Sequence, residues 1–231
     1  MPRAARRTVT AAVEYGVGRA GIAAVRALDR DVIGQARHPR GAAGSVNGWV
    51  FAHRPSNRQR NRWAVSLLGV GPASRVLEIG FGPGVAIAEL VRAGAGHVHG
   101  VDHSGVMLRQ ASRRNAAAIR AGRVTLIKAT VDQLPAAFDG PFDAILAVNS
   151  LGFWPAPAER LAELRRRLGP GGRIAIVSQP RCPGAGAATS RNAARELEDL
   201  LRDAGFTQLS TDTLDLDPPV VCVLATAAKV R

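Results

Sequence analysis

A short apolar strand that leads into three alternating glycines constrains the fold of this chain more than any other feature. The segment reads Val76-Leu77-Glu78-Ile79-Gly80-Phe81-Gly82-Pro83-Gly84. Glycine tolerates positive φ and carries no Cβ, so the backbone can turn sharply there and approach a ligand closely. The apolar spacing over residues 85 to 91 predicts a helix whose N-terminus points at the turn. Strand, glycine turn and helix together predict a nucleotide-binding edge of an α/β sheet.

The spacing of the glycines distinguishes between two kinds of nucleotide site. A dinucleotide-binding turn needs G-x-G-x-x-G, which places a pyrophosphate on the helix N-terminus. Here the pattern is G-x-G-x-G, and Glu78 precedes the first glycine by two residues. A carboxylate at that position disfavours a pyrophosphate and tolerates a cationic ligand. The turn therefore predicts a ligand that contains a nucleoside and a positive charge.

A second predicted strand, over residues 97 to 102, ends in a carboxylate. Its last residue is Asp102, 18 residues past Gly84. An acid at the tip of the second strand of an α/β unit can accept both hydroxyls of a ribose. The alternative role for Asp102 is to cap the helix predicted over 104 to 121, which Ser104 can also do. We expect the ribose role.

The first segment matches E-x-G-x-G-x-G, and residues 101 to 108 match V-D-x-S-x-x-M-L. In both segments the chain resembles the class I S-adenosylmethionine-dependent methyltransferases. The resemblance implies S-adenosylmethionine as the cofactor. No metal is expected, because Cys182 and Cys222 lack the paired spacing of a metal site. The resemblance implies that the cofactor is held by these residues: Glu78, Gly80, Phe81, Gly82, Gly84, Asp102 and His103.

Three further blocks extend the resemblance over about residues 46 to 226. Residues 129 to 135 align with the G-D-A-x-x-L-P segment that packs against the adenine, although Thr130 stands where the family usually has an acid. The resemblance therefore implies adenine contacts from Thr130, Val131 and Asp132. The strand predicted over 144 to 148 ends at Asn149, which in the family lies beside the methyl group. Residues 169 to 177 resemble the L-x-P-G-G segment that precedes the fifth strand.

The acceptor side is less well defined. Positioning is sufficient for an acceptor that is already nucleophilic, whereas a hydroxyl acceptor benefits from a general base such as histidine. We name His53, Asn149 and Trp154 as candidate catalytic residues; their respective alternatives are a surface position, a strand cap and a core position. Methyltransferases of nucleobase amines usually show Pro-Pro and an aromatic after Asn or Asp, a pattern missing after Asn149. We therefore expect a small-molecule acceptor methylated on oxygen, carbon or nitrogen.

Strands and helices alternate from residue 75 onward. The predicted fold is a doubly wound, Rossmann-like α/β domain over residues 71–231, with a seven-stranded, mostly parallel sheet and a reversed last strand. Residues 1–70 are predicted to form an N-terminal helical cap over the carboxyl edge of the sheet. The predicted strands lie near 75–79, 97–101, 123–128, 143–148, 172–178, 206–211 and 219–226.

The net charge of +13 is concentrated near the start of the chain. Residues 1 to 63 hold twelve arginines against three acids, a net +9. This charge suggests an alternative function, an RNA methyltransferase, although aromatic residues make up only 4% of the chain and a stacking platform is missing. A non-catalytic cofactor-binding protein is a further alternative. Two widely spaced cysteines and the absence of a membrane-spanning run favour a cytoplasmic protein, and a homodimer remains open.

Overall fold

The computed structural model describes residues 54–227, which form a seven-stranded sheet covered by helices on both faces. The order of the strands is β3-β2-β1-β4-β5-β7-β6. The strands are β1 (Arg75–Ile79), β2 (His97–Asp102), β3 (Val124–Lys128), β4 (Phe142–Val148), β5 (Leu168–Ser178), β6 (Phe206–Leu214) and β7 (Val220–Ala227). The helices are α1 (Pro55–Leu68), α2 (Val85–Arg92), α3 (Gly105–Arg114), α4 (Ala116–Arg120), α5 (Pro157–Arg166) and α6 (Ala187–Asp203).

The first five strands pair in parallel, and β7 is antiparallel to both of its neighbours, β5 and β6. This arrangement confirms the predicted mostly parallel sheet with a reversed last strand. The chain changes direction across the sheet between β1 and β4, which are neighbours although they are not consecutive. Ligands of open α/β sheets bind at the carboxyl ends of the strands at such a reversal. The site is therefore expected above β1 and β4.

Two hydrophobic clusters lie on the opposite faces of the sheet. One packs the sheet against α1, α2 and α3, and it includes Leu68, Leu90 and Met107. The other packs the sheet against α5 and α6, and it includes Leu164 and Leu201. The central strands β1, β2 and β4 are largely buried on both faces, as expected for a parallel sheet, whereas the edge strand β6 is mostly exposed. This packing fixes the relative positions of the strand ends that form the site.

Several boundaries differ from the predicted ones. The helix predicted over 104 to 121 is divided at Asn115 into α3 and α4, because the side chain of Asn115 bonds to the glycine turn instead of pointing outward. The strand predicted over 172 to 178 begins at Leu168, so β5 starts before the Pro-Gly-Gly segment. Helix α1 is the part of the predicted N-terminal cap that the structure describes, and it begins at Pro55. Of the predicted N-terminal cap, residues 1–53 lie outside the described residues.

Candidate active site

The glycine turn leads from β1 into α2, and its glycines serve different purposes. Gly80, Gly82 and Gly84 have φ values of 80°, 51° and 76°, in the left-handed region that favours glycine. A Cβ on Gly84 would lie 2.7 Å from the Cβ of Ala111, so this glycine permits close packing on α3. A Cβ on Gly82 would have no atom within 4 Å. The backbone of Gly82 therefore faces open space at the strand ends, where a ligand can approach it.

Asp102, at the end of β2, holds the glycine turn in place. Its Oδ2 accepts a hydrogen bond from the backbone N–H of Gly82 at 2.8 Å, and its Oδ1 accepts one from the N–H of Ser104 at 2.8 Å. The residue is 6% exposed. This contact confirms the predicted adjacency of Asp102 to the glycines. The cap of α3 is Ser104, whose Oγ accepts from the N–H of Met107 at 3.4 Å.

Glu78 lies beneath the turn and is almost completely buried. It is 2% exposed, and its Oε2 has no hydrogen-bond partner among residues 54–227. Burial, and then the nearby charge of Asp102, raise the pKa of Glu78 to about 8. Burial also raises the pKa of Asp102, while its bonds from Ser104 and Gly82 act in the opposite direction. A buried acceptor with no partner is an expensive arrangement that a cationic ligand would relieve.

Asn149 follows β4 and is held in a single orientation. Its φ of 53° is in the left-handed region, which asparagine enters more readily than most residues. Its N–H donates to the carbonyl of Val177 at 2.8 Å, and its Oδ1 accepts from the N–H of Gln179 at 2.8 Å. The next residue, Ser150, donates its hydroxyl to the carbonyl of Ile79 at 2.7 Å. Asn149 is thus fixed between the ends of β4 and β5.

Four other residues predicted to contact the cofactor lie at the same edge of the sheet. The imidazole of His103 is partly exposed, with Nδ1 3.7 Å from Oδ1 of Asp102. Thr130 and Asp132 are exposed in the turn after β3, and Val131 between them is buried. The turn is closed by a hydrogen bond from the N–H of Gln133 to the carbonyl of Thr130 at 3.1 Å.

The structure places two predicted aromatic residues in the core. Phe81 is 3% exposed, and its Cδ1 would lie 2.9 Å from a Cβ on Gly100, so its ring packs against β2 and only its backbone faces the turn. Trp154 is 9% exposed and belongs to the cluster on the α5 and α6 face. Its neighbour Phe153 is the exposed ring, at 52%. The core position given above as the alternative for Trp154 is therefore the one that the packing favours. His53 lies outside the described residues.

Three polar residues at the carboxyl edge of the sheet were not predicted from the sequence. Asn115 is buried and donates through Nδ2 to the carbonyls of Gly84 and Ala111, at 3.1 and 2.9 Å. Gln179 and Arg60 are also buried, and they bond to each other. Asn115 has no signal in the sequence, since asparagine near the middle of a predicted helix is ordinary. Arg60 lies in the arginine-rich segment, where a buried arginine cannot be distinguished from a solvated one.

Comparison with known proteins agrees with this geometry. A family model described as a methyltransferase domain matches residues 76–172. The uncharacterized methyltransferase YdaC of Bacillus subtilis is 30% identical over 187 residues, which cover 80% of this chain and 98% of YdaC. The ubiquinone/menaquinone biosynthesis C-methyltransferase UbiE of Geotalea daltonii is 31% identical over 129 residues, 54% of each protein. The solved N-methyltransferase NodS of Bradyrhizobium japonicum, in complex with S-adenosyl-L-homocysteine, has a TM-score of 0.61 at 18% identity, covering 78% of this chain and 92% of NodS.

This chain belongs to the class I S-adenosylmethionine-dependent methyltransferases, and it is an enzyme that uses S-adenosylmethionine. The described residues fit this cofactor, because the buried acceptor of Glu78 has no partner and the backbone of Gly82 borders open space. Among residues 54–227, no helix is long and apolar enough to cross a membrane. The same residues contain no cluster of three His, Cys, Asp or Glu side chains that could hold a metal ion.

Proposed function

We propose that this enzyme transfers the methyl group of S-adenosylmethionine to a small-molecule acceptor, on oxygen, carbon or nitrogen. The observation that carries the proposal is the pair of buried carboxyl groups under the glycine turn. Burial and then the charge of Asp102 raise the pKa of Glu78, and Glu78 is the one with an acceptor oxygen left unpartnered within the described part of the chain. We call Glu78 and Asp102 the acidic floor of the site. Negative charge there favours a cationic nucleoside over one that carries a phosphate.

Each residue of the floor has a separate proposed role. S-adenosylmethionine brings an activated methyl group on a positively charged sulfur, so the protein has mainly to bind and align. Glu78 would accept hydrogen bonds from the cofactor's ammonium group. Asp102 would accept the ribose hydroxyls with the lone pairs that its bonds to Gly82 and Ser104 leave free. His103 would border the same ribose.

The adenine would lie against the turn after β3. Val131 is buried there and would offer its backbone amide to the ring, while the exposed Thr130 and Asp132 would contact its exocyclic amine. The cofactor would lie along the carboxyl edge of the sheet, from β3 past the glycine turn to β4. Its reactive end would then be near Asn149, whose N–H donates to the carbonyl of Val177 and whose Oδ1 accepts from the N–H of Gln179.

The acceptor is proposed to enter beside Asn149 and the exposed ring of Phe153. Transfer requires the acceptor atom, the methyl carbon and the sulfur to be in line, and a rigid strand end is suited to hold that geometry. The segment Asn149-Ser150-Leu151-Gly152 lacks the Pro-Pro of nucleobase amine methyltransferases. UbiE is named as a C-methyltransferase of quinone biosynthesis, and this supports a small organic acceptor.

The proposal can be tested with tritium-labelled S-adenosylmethionine and the full chain. Extracts of small metabolites and purified RNA would be offered in parallel, and Asp102→Ala would serve as the inactive control. We expect label in an organic extract of the metabolites and none above the control in RNA. Label in RNA, together with an RNA affinity that falls steeply with added salt, would support the RNA alternative instead. No transfer to either fraction would contradict the proposal.

A further inference from the structure

Arg60 and Arg181 both bond to Gln179, which bonds to Asn149, and Arg54 lies near Arg181. We call Arg54, Arg60 and Arg181 the arginine cluster. Arg60 lies on α1, Arg54 directly precedes that helix, and Arg181 lies in the loop after β5. The charge of Arg54 lowers the pKa of Arg181, and the charge of Arg181 lowers the pKa of Arg60, in each case after the larger effect of desolvation. The three positive charges are therefore close enough to repel one another.

Arg60 is the buried member of the cluster. It is 5% exposed, its Nη1 donates to Oε1 of Gln179 at 2.6 Å, and its Nη2 donates to Oδ1 of Asn57. Both partners are neutral. Within residues 54–227, its Nε has no hydrogen-bond partner and no carboxylate forms an ion pair with it. Burial and the charge of Arg181 lower the pKa of Arg60 to about 9, so it still carries its charge at neutral pH.

A buried cation is normally paired, because the loss of hydration is otherwise uncompensated. The buried acids of the site do not compensate Arg60. The influences on its pKa are burial and Arg181, and the carboxyl group that acts on Glu78 is Asp102. The site thus has an acidic part under the glycine turn and a basic part at α1 and β5. Arg60 thus has no counter-charge within residues 54–227, and an anionic ligand would supply one.

Gln179 connects the arginine cluster to the acceptor edge. Its Nε2 donates to the carbonyl of Pro218 at 2.8 Å, which fixes the side-chain amide. Its Oε1 accepts from Arg60 at 2.6 Å and from Arg181 at 3.2 Å. Its own N–H donates to Oδ1 of Asn149 at 2.8 Å. The guanidinium groups are therefore held at a fixed position relative to the residue where the reactive end of the cofactor is proposed to lie.

We propose that Arg60 and Arg181 bind a carboxylate group of a ligand in the active site. This inference rests on the proposed function for the identity of the ligand. The carboxylate has two sources, the acceptor molecule or the methionine end of the cofactor. Two guanidinium groups that share one neutral oxygen bring several charged N–H donors together, and such donors form strong hydrogen bonds with carboxylates. If the carboxylate belongs to the acceptor, the acceptor is an organic acid.

The test compares wild type with Arg60→Gln and Arg181→Gln. The matched control is Arg195→Gln, which removes an exposed arginine of α6. Calorimetry measures the affinity for S-adenosylhomocysteine and for its analogue without the methionine carboxylate. Thermal unfolding measures stabilisation by malonate against chloride at equal ionic strength, with and without S-adenosylhomocysteine. Arg181 is exposed, so its variant keeps the test valid if Arg60→Gln fails to fold.

An acceptor carboxylate predicts that malonate stabilises the wild type and the control. Both cluster variants would lose that effect and keep wild-type affinity for S-adenosylhomocysteine. A cofactor carboxylate predicts that both variants lose about tenfold in affinity for S-adenosylhomocysteine and nothing for the analogue. The inference is overturned if neither affinity nor malonate stabilisation depends on the two arginines. Failure of the wild type to bind S-adenosylhomocysteine would instead contradict the proposed function, and malonate with the free protein would still test the anion site.

Discussion

The buried carboxyl group of Glu78 makes the stability of the ligand-free protein depend on pH in a specific direction. Its pKa is raised from 4.5 to about 8 by burial and by Asp102, so the group is protonated in the folded state at neutral pH. A carboxyl group with a higher pKa in the folded than in the unfolded state stabilises the fold while it is protonated. That contribution is complete below pH 4.5 and is lost as the pH rises through about 8.

The size of the effect follows from these two pKa values. Between pH 6.5 and 7.5 the free energy of unfolding should fall by about 1 kcal/mol through Glu78. For a domain of this size, that corresponds to about 2–4 °C in the melting temperature. His99, whose pKa burial lowers to about 4, acts in the opposite direction but mainly below pH 6.5. The difference in slope between wild type and Glu78→Gln in this window therefore reports the ionisation of Glu78.

The assay is thermal unfolding of the ligand-free protein at pH 6.5, 7.0 and 7.5, for wild type and Glu78→Gln. Glutamine has nearly the same shape and does not ionise, so this variant should lose the decline. The exposed Glu196 offers a control, because Glu196→Gln should keep the wild-type slope. Equal slopes for wild type and Glu78→Gln would refute the assignment of a raised pKa to Glu78.

The same ionisation should appear in ligand binding. A cationic ammonium beside Glu78 favours the charged carboxylate, so binding should release a proton. The affinity of wild type for S-adenosylhomocysteine should then rise by up to about eightfold from pH 6.5 to 7.5. Glu78→Gln should bind more weakly and without this dependence. A wild-type affinity that does not change with pH would indicate that the ammonium group does not contact Glu78.

Three sets of substitutions test Asp102 and the residues around the two carboxyl groups. Gly84→Ala should lower the melting temperature more than Gly82→Ala, because its Cβ would lie 2.7 Å from that of Ala111 and the other would meet open space; equal losses would contradict this packing. Asp102→Ala should weaken S-adenosylhomocysteine binding by about 2 kcal/mol in calorimetry, since both the ribose contacts and the bond to Gly82 are lost; unchanged affinity would exclude the ribose role. Asn149→Gly should be more stable than Asn149→Ala by about 1 kcal/mol in denaturant unfolding, because the φ of residue 149 is 53°. The reverse order would show that strain at this left-handed φ does not determine the stability of the two variants.

The fold could be predicted from the sequence because its signals are local and repeated. Strands alternate with helices from residue 75, and the glycine turn marks where the sheet begins. The position of Asp102 next to Gly82 was predictable too, because parallel neighbouring strands bring their carboxyl ends together. In the structure the N–H of Gly82 donates to Oδ2 of Asp102 at 2.8 Å.

The polar contacts that complete the site could not be predicted, because each joins residues distant in the chain. Arg60 meets Gln179 across 119 positions, and Asn115 meets Gly84 across 31. The residue types of Phe81 and Trp154 did not show whether their side chains contact a ligand or pack in the core, and their burial does. Phe81 and Trp154 are aromatic residues in motif positions, and their rings are used to pack the core. Whether an aromatic ring at the end of a strand lies in the core or faces the ligand site depends on how the surrounding helices pack.

Cofactor binding at the glycine turn can be tested by an amide chemical-shift titration of the labelled full chain with S-adenosylhomocysteine. We expect the largest shifts at the glycine turn from Gly80 to Gly84, at Asp102 and His103, and at Val131. Small shifts are expected on β6, at the far edge of the sheet. Saturable binding with its largest shifts on β6, and none at the glycine turn or Asp102, would contradict the central claim that this acidic crevice holds the cofactor.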